Sequence, residues 1–166
     1  NADSSPTLTT SGNVELTLSG SNTVTHNNTD KLAIDIGDDG WPDYTPGRLT
    51  IKGSGSLTAE APSSGIRIQN GTLDVTDGTV NATAADNGIY ALGNTVQVSG
   101  GTLCATATGE HSAGIEASHN GQVTVSSGKL TASGGSYGIA AGQLEMSGGT
   151  LNASANGPAA ITGSSI

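Results

Sequence analysis

Apolar residues along this chain come in short runs in which every second position is apolar. Thr72-Leu-Asp-Val75, Thr95-Val-Gln-Val98 and Gln122-Val-Thr-Val125 show the pattern, and Gly, Asn, Asp and Ser separate one run from the next. A period of two residues is that of a strand with one buried face, and the punctuating residues mark turns. The intervals between runs leave no room for a helix, so the pattern predicts many short strands and an all-β fold.

The runs recur as a set. Gly55-Ser-Leu-Thr-Ala59, Gly78-Thr-Val-Asn-Ala82, Gly101-Thr-Leu-Cys-Ala105, Gly128-Lys-Leu-Thr-Ala132 and Gly149-Thr-Leu-Asn-Ala153 share one pattern, spaced by 23, 23, 27 and 21 residues. Each is followed by a small residue and Ile: Gly65-Ile66, Gly88-Ile89, Gly114-Ile115, Gly138-Ile139 and Ala160-Ile161. The first four add a third run, the last of these being Gln143-Leu-Glu-Met146. One repeat therefore holds three strands. In the third repeat the inward set is Leu103, Ala105, Ile115, Ala117, Val123 and Val125. Three strands per repeat with no helix describe one coil of a right-handed parallel β-helix, a β-solenoid, whose coils stack at the strand spacing of about 4.8 Å.

Earlier coils follow the same reading. Gly20-Ser-Asn-Thr-Val24, Ala33-Ile-Asp-Ile36 and Arg48-Leu-Thr-Ile51 supply one, and Asn13-Val-Glu-Leu-Thr-Leu18 is the last strand of the coil before. About six coils of 21–27 residues result, in a single domain over residues 1–166 with a loop insertion at 37–47. The last coil stops after its second strand, and an uncapped solenoid end exposes strand edges. The chain also opens at Asn1 rather than Met. The uncapped end leads to the expectation of a piece of a longer protein, or of an end on which something stacks, and the Asn1 start to that of a removed upstream segment.

Composition changes the picture in two ways. Only 33% of residues are hydrophobic, with 26 Gly, 22 Thr and no Phe, which a thin core column of Ile, Leu, Val and Ala accommodates. Five basic residues against 14 acidic give a net charge of −9, which excludes nucleic acid and an anionic membrane surface as partners. No run of 18 apolar residues exists to cross a bilayer as a helix. A single cysteine, Cys104, excludes an intramolecular disulfide.

Gly53-Ser-Gly-Ser-Leu-Thr-Ala59, Gly78-Thr-Val-Asn-Ala-Thr83 and Val98-Ser-Gly-Gly-Thr-Leu-Cys-Ala105 resemble the repeats of carbohydrate-binding parallel β-helix domains. Those domains sit on secreted and wall-attached proteins of fibre-degrading and gut-dwelling Gram-positive bacteria, and the likeness runs from about Asn13 to Ile161. The resemblance implies an extracellular or cell-surface location, an acidic polysaccharide or surface glycan as partner, and calcium bound by acidic turn residues. The turn before each Gly-Ile reads Ser64, Asn87, Ala113 and Tyr137, with Asp86 the one acid beside that column. Any calcium is thus expected in the insertion rather than along the body.

The insertion concentrates Asp38, Asp39 and Asp43, with Asp35 just before them, together with Trp41 and Tyr44. Aromatic planes stack on the apolar faces of sugar rings, and clustered Asp oxygens in a Gly-containing loop can ligate Ca²⁺. Folding of Trp41 and Tyr44 over the coil edge is the structural alternative. A second candidate is the outward column of the middle strands, Asp35, Arg67, Tyr90, Glu116 and Ala140, where Asp35 and Arg67 lie on adjacent rungs and can pair. An ordinary solvated ladder with a weak surface ion pair is its alternative.

The outward Thr, Ser and Asn of the first strands, such as Thr79, Asn81 and Thr83, form the array an ice-binding solenoid would show, interrupted by Cys104, Lys129 and Glu60. Catalysis has little to work with. His111 and His119 match no zinc spacing, and Cys104 has no activating sequence neighbour. The four Asn-x-Ser/Thr matches are expected by chance in so Asn- and Thr-rich a chain. The sequence therefore points to a non-catalytic extracellular module that binds polysaccharide at a bacterial surface. An adhesin shaft or filament subunit that self-associates end to end is the alternative, and ice binding the third.

Overall fold

The computed structural model describes residues 6–29, 31–37 and 46–165, and among them forms only strands, bends and turns. Strands β1 (Leu8–Thr10) and β2 (Asn13–Thr17) lead into a coil made of β3 (Ser21–Thr25), β4 (Leu32–Ile36) and β5 (Gly47–Lys52). The second coil is β6 (Ser56–Glu60), β7 (Ser64–Ile68) and β8 (Gly71–Val75); the third is β9 (Thr79–Ala84), β10 (Asn87–Tyr90) and β11 (Thr95–Val98). Coils four to six pair β12 (Thr102–Ala107) with β13 (Ala113–Val125), β14 (Lys129–Gly134) with β15 (Tyr137–Met146), and β16 (Thr150–Ala155) with β17 (Ala159–Ser165).

Like strands stack on like. The first strands of successive coils form one parallel ladder, β3-β6-β9-β12-β14-β16. The second and third ladders merge into one sheet, because β13 and β15 run unbroken through the second corner. The result is the expected solenoid of about six coils.

Register follows the repeat residue for residue. Leu57, Val80, Leu103, Leu130 and Leu151 form one column, and Ile34, Ile66, Ile89, Ile115, Ile139 and Ile161 another. A slip of one residue would turn every one of these side chains outward, so the hydrophobic pattern fixes the stacking. The six inward residues named for the third repeat are at most 1% exposed. Each buried Leu, Ile or Val stabilises by about 1.5–3 kcal/mol, and among the described residues that narrow column is the core.

Three features depart from the sequence reading. Leu8–Thr10 forms a strand paired with Leu32–Ile36, too short to show a period. Asn22 stands at the Leu57 position of its column; it is exposed at the edge of the sheet and donates its amide to the Ser19 and Ser56 carbonyls. The second corner of the fourth coil turns through His119 and Asn120, both at positive φ (58° and 69°), where glycine would be usual.

The corners are held by polar groups standing in for a ladder. Asn94 accepts from the Gly71 N–H at 2.7 Å and donates to the carbonyls of Ile68, Gln69 and Leu92. The glycine before each buried Ile has a different cause, close approach. A Cβ built at Gly114 would lie 2.6 Å from the Ser133 nitrogen and 2.7 Å from the Gly138 carbonyl oxygen. The column reads Ala33, Gly65, Gly88, Gly114, Gly138, Ala160, with alanine only in the two end coils.

Gly114→Ala should therefore lower stability by about 1–3 kcal/mol through overpacking against backbone that cannot move aside. Urea unfolding measures it. An unchanged midpoint would mean that the coils are not this tightly stacked.

Candidate functional site

The outward residues of the second ladder form one column in register: Thr9, Asp35, Arg67, Tyr90, Glu116, Ala140 and Thr162. The structure thus brings together Asp35, Arg67, Tyr90 and Glu116 as the alternation predicts. It also shows that the Asp35–Arg67 contact is more than a solvated surface pair. Arg67 donates to Asp35 through Nε at 3.0 Å and through Nη2 at 2.6 Å, and Gln69 Nε2 donates to the same carboxylate at 3.0 Å. Asp35 is only 4% exposed, although its position faces outward. A bidentate, charge-assisted fork of this kind fixes the guanidinium plane.

Beside this clamp lies a hollow of about 310 Å³. Arg67 and Tyr90 form one side of it, and Lys31, at the entry to β4, forms another. Ser63, Ser64 and Asn87 line it where the first corner meets the second ladder, with Leu32 and Pro6 completing the wall. Among the described residues, two basic side chains and no acidic one line this hollow. Asp35 offsets the charge of Arg67 from beneath, and Lys31 adds a positive charge to the described lining, in a chain of net −9. Chemically it offers a fixed plane, an aromatic ring, hydroxyl and amide hydrogen-bonding groups and an ammonium, none of them a nucleophile–base pair.

Farther along the column, Ser118 donates its hydroxyl to the Glu116 carboxylate, and His119 Nδ1 lies 3.2 Å from the same hydroxyl. The order of the three groups is not that of a catalytic triad. There the imidazole stands between serine and acid and is oriented by the acid, whereas here the serine stands between acid and imidazole. His111 sits on the first corner and His119 on the second, so the two do not converge. Cys104 lies in the first ladder between Asn81 and Thr131, half-buried, in line with its outward position in the repeat.

Trp41, Tyr44, Asp38, Asp39 and Asp43 lie outside the described residues. Of the acids named with them, Asp35 has its oxygens engaged by Arg67 and Gln69. Among the described residues no group of three or more His, Cys, Asp or Glu is placed to hold a metal ion.

Among the described residues, two ion pairs escaped the sequence reading, an exposed one between Lys52 and Glu15 at 2.6 Å and a half-buried one at Arg48. Arg48 reaches Asp74 at 2.6 Å, and Ser99 donates to the other oxygen of that buried carboxylate. Arg48 faces Thr72 in the ladder and Asp74 faces Thr50, so the pair is diagonal. Both arginines of the chain thus hold buried aspartates.

Replacing Arg67 by Met leaves the Asp35 carboxylate buried without its cation and should cost about 3 kcal/mol or more in unfolding free energy. Replacing both Asp35 and Arg67 by apolar residues should restore most of the loss. A single variant as stable as the parent would show that Asp35 is hydrated and the clamp slack.

A family model described as "Carbohydrate-binding domain-containing protein" matches residues 4–165. No curated protein and no solved structure matches the chain.

Proposed function

The chain belongs to the carbohydrate-binding domain-containing family, and from that premise we propose that it is a non-catalytic module that holds an acidic polysaccharide outside the cell, at a bacterial surface. The observation that carries the assignment is the basic hollow at Arg67. In so acidic a chain, a cavity whose described lining holds Lys31, Arg67 and Tyr90 and no acid favours a ligand with its own negative charge. A uronic acid residue meets those terms. Its carboxylate faces the Lys31 ammonium and the Arg67 edge, its ring lies against Tyr90, and Ser63, Ser64 and Asn87 take its hydroxyls.

Preorganisation supports the same reading. Asp35 holds the guanidinium in place before any ligand arrives, so less side-chain freedom is lost on binding. Asp35 and Asp74 are each held by an arginine, and Glu116 is engaged by Ser118, which leaves these carboxylates as positioning elements rather than acid and base.

The test is affinity electrophoresis on polygalacturonate and glucuronoxylan, with neutral xylan as control. Lys31→Ala and Tyr90→Ala should each weaken retention by about tenfold, about 1.4 kcal/mol, with the unfolding midpoint unchanged. Added salt should weaken it further, because the hollow is open to solvent screening. Equal retention by neutral xylan would contradict the assignment. Binding lost with EDTA and restored by calcium would move the site to the Asp38, Asp39 and Asp43 segment and overturn the Arg67–Tyr90 assignment.

A further inference from the structure

The first corner of the solenoid varies in length from coil to coil, and that variation carves its surface. Two residues, 85–86, turn the third coil and two, 135–136, the fifth, whereas five residues, 108–112, turn the fourth. The fourth corner therefore stands out as a ridge with Glu110 and His111 exposed on it. Behind the ridge, toward the sixth coil, is a hollow of about 780 Å³, lined by Glu110, His111, Ser136, Asn156 and Pro158 among others.

The ridge is built to stay in place. Ser112 is 3% exposed; its hydroxyl donates to the Gly109 carbonyl at 2.6 Å and accepts from the Gly135 N–H at 3.0 Å. The Ser112 carbonyl accepts from the N–H groups of Ser136 and Tyr137, and the Glu110 carbonyl accepts from the Ser136 hydroxyl. The hollow is thus preformed rather than a gap between loose turns.

We propose that this hollow is a second carbohydrate subsite, one that takes neutral sugar residues of the same chain. The inference rests on the function proposed above and extends it. The hollow's polar side chains are a carboxylate, an imidazole, two hydroxyls (Thr108 and Ser136) and an amide, with no Lys or Arg. Such a set accepts and donates to sugar hydroxyls but repels a second uronate. It lies on the same corner as the Arg67 hollow, about three coils away, or about 14 Å at the strand spacing. Between them a hollow of about 380 Å³, lined by Asp86, Asn87, Glu110 and His111, shares Asn87 with the first and Glu110 and His111 with the second. A polysaccharide running parallel to the solenoid axis fills both, placing a sparse acidic branch at Lys31 and Arg67 and neutral sugars against Glu110 and His111. The preferred ligand is a heteropolymer with acidic residues separated by neutral ones.

Calorimetric titration of the full chain with xylo-oligosaccharides bearing one glucuronate branch, in a series of increasing neutral length, tests this. Affinity should rise by about tenfold or more once the oligomer spans both hollows and then level off, as a second linked contact requires. Glu110→Ala with His111→Ala should abolish most of that gain, and so should Asn156→Trp, which fills the hollow from an exposed position. Affinity independent of length, or a gain that survives in both variants, would overturn the second subsite while leaving the first intact. Failure of the branched oligomers to bind at any length would overturn the Arg67 reading and this inference with it.

Discussion

Everything in this molecule depends on coils stacking in register, strand on parallel strand, at the spacing of a backbone hydrogen bond. Because every coil must satisfy the same ladder, a position fixed in one coil is fixed in its neighbours. The inward positions become unbroken columns of Leu, Ile, Val and Ala, and a column so narrow needs few hydrophobic residues to fill it. The same narrowness brings the first and second ladders so close that Gly65, Gly88, Gly114 and Gly138 leave no space for a methyl group. Stability is repeated locally, coil by coil, with Asn94 supplying hydrogen bonds where the ladder is interrupted.

Rigid strands and variable corners divide the work of recognition. Strand positions set groups at rung spacing, which is why Asp35, Arg67, Tyr90 and Glu116 lie side by side though far apart in sequence. Burial of Asp35 turns Arg67 from a flexible cation into a fixed plane. Corner positions are free to lengthen, because a longer corner bulges outward without disturbing the ladder. Hollows form beside the long ones, and a solenoid that varies only its corners can acquire a line of subsites at little cost in stability.

The strand pattern was legible in the sequence to the level of single residues: the Leu103 and Ile115 columns, the outward Arg67 strip and the Asp35–Arg67 contact all follow from a period of two and a repeat length. What the sequence hid has a physical reason in each case. The depth at which Asp35 lies depends on Gln69 and Arg67 closing over it, and alternation assigns that position to solvent. The Arg48–Asp74 pair joins residues diagonal to one another, so column reading passes it by. Leu8–Thr10 is too short to show a period. The turn at His119 and Asn120 adopts positive φ without the glycine that would have marked it. The corner hollows arise from differences in length between neighbouring coils, a property of no single residue.

The central claim is that a solenoid with a fixed basic hollow at Arg67 seats an acidic sugar there. Backbone amide NMR of the labelled protein, titrated with a glucuronate-bearing xylo-oligosaccharide, tests it most directly. The account predicts that the largest shift changes fall on Ser63, Ser64, Arg67, Asn87 and Tyr90, with the outward Thr and Asn face of the first ladder unmoved. Changes centred on Asn81, Cys104 and Thr131 of that face, with the Arg67 hollow silent, would contradict it.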